Sequence, residues 1–189
     1  MRAQFITVDY LKSNTAITGN VDATELVPFL GEAQDVFLQD LLGTRLYEKL
    51  QDDIIATNAS PVVPLPELSE ALLNKIAPSL AHYTLYVALP FIFLKLKNKG
   101  VLKNSNPETG AQSASLQEVN FLRSNVLTSA KFHGERVATY LCNHSEDYPE
   151  YRTQGPDADI YPRGTAYDNF GIYTGPSKTE LQELKRYIG

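Results

Sequence analysis

Ile76–Leu94 reads IAPSLAHYTLYVALPFIFL, a run without a single Asp, Glu, Lys or Arg. Whether it spans a membrane or fills the middle of a soluble bundle decides the fold. Its length is about that of a bilayer-crossing helix. Its content argues the other way. Pro78, Pro90, His82, Ser79, Thr84 and two tyrosines interrupt the apolar residues, and the flanking signals of a span are missing. A helix apolar all round is also what the centre of a bundle requires. The expected element is a long buried helix from about Glu67 to Asn98. Pro78 and Pro90 each remove a backbone hydrogen bond and bend it, and Gly100 stops it.

The segments on either side supply partners for such a helix. Thr7 can cap a short turn, VDYLKS. Asp22 with Glu25 makes a capping-box pattern. Leu26, Leu30, Ala33, Phe37 and Leu41 follow at three- and four-residue steps, which gives one apolar face. Pro28 belongs near the start of this helix, and Gly43 ends it. Thr44 is expected to cap the next helix, RLYEKLQDDII, with Leu46, Leu50 and Ile54 inward. NASPVVPLP is a proline-rich connection, and KNSNPETGAQSA is a polar one. Ser115 and Glu118 form a second capping box. Beyond it Leu116, Val119, Leu122, Val126, Ala130, His133, Val137 and Tyr140 mark one face down to about Asn143. Four main helices with short connections, and no internal repeat, define an all-α small helical bundle over residues 1–143.

After Asn143 the periodicity stops. Residues 144–189 read as an extended, irregular C-terminal arm rich in Tyr, Pro and Gly, with Tyr148, Tyr151, Tyr161, Tyr167, Phe170 and Tyr173 spaced along it. Plain disordered spacers are poor in aromatics, whereas binding surfaces use them as anchors. These six residues are the candidate protein-interface anchors. The competing reading is that the arm folds back over its own bundle. Ser177 and Glu180 form a third capping box, and TELQELKRYI after it has the pattern of a short terminal helix.

Composition narrows the functional classes. The chain has 189 residues and a formal net charge of −5, which argues against a broad nucleic-acid-binding surface. Lys95, Lys97, Lys99 and Lys103 cluster where the long helix is expected to end, and there they complement its dipole. Cys142 is the single cysteine, so an intrachain disulfide is impossible and a reducing compartment fits. No apolar run follows Arg2, so no signal peptide is expected. The sequons at Asn58 and Asn143 then read as chance matches.

The search for chemistry yields little. His133-Gly134-Glu135 matches the H-x-E of zinc deaminases, but those need a later pair of cysteines. His133 also falls on the apolar face, as a hydrogen-bonded core histidine would. Cys142 and His144 lack a third ligand. GIYTGPSKT has the wrong glycine–lysine spacing for a phosphate loop. Asp52 and Asp53 are adjacent, so on a helix they diverge by about 100°. The three histidines do not cluster in sequence. The expectation is a non-enzyme with no catalytic, metal or cofactor-binding residues and no cofactor.

The run Gln34–Leu50, Q-D-x-x-L-Q-D-L-L-G-x-x-L-Y-E-K-L, resembles a family from tailed bacteriophages of Bacteroidetes hosts, including crAss-like phages. ALPFIFLKLKNKGV, EVNFLRSNV and YLCNHSEDYPEY continue the likeness in order, so that it covers about Phe5 to Tyr151. That family is similar to head–tail connector (adaptor, neck) proteins. The resemblance implies a virion structural protein, made in the host cytoplasm and placed at the head–tail interface. It implies a homo-oligomeric ring, typically twelvefold, that binds the portal protein, docks further neck or tail proteins and lets genomic DNA pass without sequence-specific binding. No membrane partner is implied. The C-terminal segment from Arg152 departs from the family pattern. An arm reaching neighbouring subunits would explain its aromatics, and it would be expected to order on docking. The alternative is a helical protein-binding adaptor or regulator of a bacterial cytoplasm that uses the same arm.

Overall fold

The structure is a computed structural model, and it describes residues 2–17, 21–59, 61–97, 100–103, 115–153, 156 and 158–162. The fold is all-α. Helix α1 spans Val8–Asn14, with the Thr7 hydroxyl accepting from the Tyr10 N–H at 3.1 Å. Helix α2, Ala23–Ala33, starts at Asp22, whose carboxylate accepts from the Thr24 N–H at 3.0 Å. One turn of π-helix, Gln34–Leu38, carries it into α3, Gln39–Leu42. Gly43 then takes φ 76° and ψ 160°, a region essentially reserved for glycine, and the chain turns into α4, Thr44–Thr57. Gly43, not Thr44, is therefore the residue before this helix. Thr44 is its first residue and is buried.

Helix α5, Glu67–Phe93, has 27 residues and runs about 40 Å through the centre. By length and composition it could cross a membrane, yet half of its most apolar stretch is buried inside the fold. Leu72, Ile76, Leu80, Ala81 and Ala88 are wholly enclosed. Pro78 and Pro90 both lie inside the helix. It ends at Phe93, earlier than the periodicity suggests. Leu94-Lys95-Leu96-Lys97 alternates with period two, and that stretch forms strand β1, Leu94–Lys97, antiparallel to β2, Gly100–Lys103, with Leu94 opposite Lys103. Lys95 and Lys97 thus lie on β1, past the end of α5.

Helix α6, Leu116–Asn143, begins with a complete capping box: the Glu118 N–H donates to the Ser115 hydroxyl, and the Ser115 N–H donates to the Glu118 carboxylate. It packs antiparallel on α5. The Ser79 hydroxyl donates to the Ala130 carbonyl at 3.1 Å, and a Cβ on Gly134 would sit 3.4 Å from the Ser79 oxygen. Ala130, Gly134 and Ala138 recur every fourth residue, so the two backbones approach closely. Every buried residue of α6 lies at Val126 or beyond. The first three turns hold no fully buried residue: Arg123 there lies over the Tyr86 ring, 4.1 Å from its centroid, and Leu116 and Leu122, expected in the core, are 56% and 44% exposed.

The N-terminal segment is held by side-chain amides. Gln34, brought inward at the π turn, donates to the Ala3 carbonyl at 2.9 Å and accepts from the Phe5 N–H at 3.1 Å. Gln51 on α4 accepts from the Ala3 N–H at 2.7 Å and donates to the same carbonyl at 3.0 Å. Arg2 pairs with Asp35.

Candidate assembly interface

The arm does not leave the bundle at Asn143. Tyr148 is 2% exposed, and its hydroxyl donates to the Leu68 carbonyl at 2.9 Å and lies 3.3 Å from the Tyr140 hydroxyl. Burial, then the bond with Tyr140, raise its pKa. Pro149–Arg152 forms a short helix, α7, and Tyr151 within it is 5% exposed. Both tyrosines belong to the chain's own hydrophobic core. The anchor reading is thus corrected for Tyr148 and Tyr151: their rings are buried in the chain's own core. The physical reason is that the chain folds back on the bundle right after α6. Tyr148 bonds Leu68 of α5 and lies against Tyr140 of α6, while α7, which carries Tyr151, packs on α4.

The next residues are tied to α4. Lys49 pairs with Glu150 at 3.1 Å, and the Arg45 guanidinium donates to the Thr153 carbonyl at 3.4 Å. The Thr44 N–H donates to the Ile160 carbonyl and the Ile160 N–H to the Thr44 hydroxyl, each at 3.0 Å. That hydroxyl also bonds Asp159. A helix leaves its first N–H groups without intrahelical partners. Gly43 has no side chain to cap them, so the arm's backbone supplies an acceptor. Of the remaining candidate anchors, Tyr161 is 65% exposed just past this tie. Tyr167, Phe170 and Tyr173 lie outside the described residues, as do the 177–189 segment and Lys99.

Helix α6 carries the apolar surface that sequence reasoning placed elsewhere. Leu116, half-buried Val119 and Leu122 continue the core face beyond the buried part of the helix. On the opposite side Phe121, 71% exposed, and Phe132 lie eleven residues, about three turns, apart on one line. The signal was readable in principle: neither phenylalanine fits the face shared by Val126, Ala130 and Val137.

Where α5 and α6 cross, His82 and His133 have ring centroids 5.3 Å apart, so two histidines distant in sequence do meet. Partial burial, then the neighbouring charges of His82 and Arg136, lower the His133 pKa. Tyr140 stacks on His144 at 4.2 Å, with the Lys75 ammonium 5.5 Å from the Tyr140 ring. Among the described residues no group of three or more His, Cys, Asp or Glu side chains could hold a metal ion.

These features define an all-α bundle whose C-terminal arm is rooted in its own core. The model of a family of unknown function, DUF6712, matches residues 38–159, and the chain belongs to that family. The match takes in Thr44, Tyr148 and Tyr151 and stops one residue short of Ile160. No curated protein and no solved structure matches the chain.

Proposed function

We infer that the chain is a structural virion protein, a head–tail connector whose copies form a ring beneath the portal of a tailed bacteriophage. Such a ring extends the DNA channel and docks the next neck or tail component. The observation that carries this reading is the rooted arm. Tyr148, Tyr151 and the Thr44–Ile160 bonds fix where the chain leaves the bundle, and Tyr161 emerges exposed at that point. A fixed root lets an arm be aimed at a neighbour, and its aromatics then serve as anchors. Head-to-tail contacts pair two different surfaces on each subunit. The outward Phe121–Phe132 line supplies a second, apolar surface on α6. The resemblance over Phe5 to Tyr151 gives the reading its particular content.

The test is the mass of the full chain at dilute and high concentration, alone and with a portal ring. A connector gives higher oligomers, or joins the portal. A monomer at every concentration that ignores the portal would favour the cytoplasmic adaptor instead.

A further inference from the structure

A cleft of about 270 Å³ opens between α5 and α6, with Asn74, Lys75 and Pro78 on one wall and His133, Arg136 and Tyr140 on the other. Every polar side chain in this lining can donate a hydrogen bond, and no carboxylate is among them. Glu135 lines the adjoining depression on α6, not the cleft. The chain as a whole carries −5, so the cleft is a local reversal of sign. Lys75 and Arg136 are exposed, and each rests near a ring. The Lys75 ammonium is 5.5 Å from the Tyr140 centroid, and the Arg136 guanidinium is 5.9 Å from that of Phe132. A ring face attracts a cation without cancelling its charge. Among the described residues neither is in an ion pair; the pairs there are Arg2–Asp35 and Lys49–Glu150. His133 reports the same excess. After burial, the charges of His82, 5.3 Å away, and of Arg136 lower its pKa. Phe132, largely exposed, meets the His133 ring edge-on at 5.5 Å and puts an apolar surface beside the cleft.

We propose that this cleft takes the carboxylate of an acidic segment of a partner protein, with the residue next to that carboxylate resting on Phe132. The donors favour carboxylate over phosphate. Phosphate sites draw on free backbone N–H groups at a helix start or a turn. Residues 74–78 and 133–140 lie inside helices, where those groups are already bonded. Side chains remain, and a guanidinium matches a carboxylate with two parallel N–H bonds. The inference goes beyond the connector reading and does not depend on it, since the cleft lies within one molecule.

The test uses the full chain and the peptide acetyl-Glu-Leu-Glu-amide at millimolar concentration, with acetyl-Gln-Leu-Gln-amide as its uncharged counterpart. The glutamate peptide should shift the His133 ring signals saturably in NMR spectra. It should also raise the His133 pKa by about half a unit or more, because an anion beside the ring favours its charged form. Lys75 and His82 of α5 and Arg136 and Tyr140 of α6 are the titratable groups around that ring, and none is a carboxylate. Lys75→Gln/Arg136→Gln, changed at exposed positions, should keep its melt and bind the peptide at least about tenfold more weakly. Equal shifts with the glutamine peptide, or binding that survives the double substitution, would overturn the site. Inorganic phosphate shifting the same signals more strongly would assign the cleft to phosphate and overturn the acidic partner. No shift with the glutamate peptide would overturn the proposal outright.

Discussion

Thr44 joins the two parts of the molecule through a handful of atoms. Its N–H, one of the first in α4, is satisfied by the Ile160 carbonyl, and its hydroxyl bonds Asp159 and the Ile160 N–H. Thr44→Val keeps the shape and removes the hydroxyl. It should cost about 1–3 kcal/mol in denaturant melts, because buried polar partners are left unmatched, and should speed protease cleavage near residue 160. The tyrosines divide in the same way. Tyr148→Ala removes a ring from the core and should cost about 3–5 kcal/mol, whereas Tyr161→Ala should change the melt by less than about 0.5 kcal/mol. His133 gives a pH dependence. Burial and the charges of His82 and Arg136 lower its pKa in the folded chain. The unfolded chain therefore takes up the proton more readily, and stability falls as pH drops below the ordinary histidine value of about 6.5. A His133→Leu variant should show a flatter stability profile between about pH 5 and 7. An unchanged slope would mean that His133 does not titrate differently on folding.

At the scale of elements, helix faces were legible and helix ends less so. Thr7, Asp22, Gly43 and the Ser115–Glu118 box mark helix boundaries through side-chain or backbone chemistry that a sequence displays directly. Periodicity also found the core face of α6. It does not say how far along that face a partner extends, and Leu122 on that face is 44% exposed. Leu122→Ala should accordingly cost less than about 1 kcal/mol, while Leu141→Ala, fully enclosed, should cost about 2–5 kcal/mol. The root of the arm was hidden for a related reason. α7 is four residues long, too short to display a period, and its ties to α4 span more than a hundred residues of sequence. The bundle is therefore not complete at Asn143. Truncation there should remove Tyr148 and Tyr151 from the core and weaken or abolish the cooperative melt; truncation after Pro162 should preserve it. Equal melts for the two would show that the root adds nothing to the core.

Taken whole, the molecule is a bundle built around a central helix with no Asp, Glu, Lys or Arg from Ile76 onward, with polar ties at both ends of the described residues. Gln34 and Gln51 grip the N-terminal segment, and Thr44 grips the arm. Among the described residues several large apolar side chains stay exposed, Phe121, Phe132 and Tyr161 among them. That distribution suits a part of a larger assembly, where rings and leucines are buried only when copies or partners meet. The most direct measurement is averaged electron microscopy of virions carrying the chain, with an antibody marking it. A connector predicts label confined to one vertex, on a ring between the portal and the tail. Label spread over the capsid or along the tail, or virions without the chain, would contradict it.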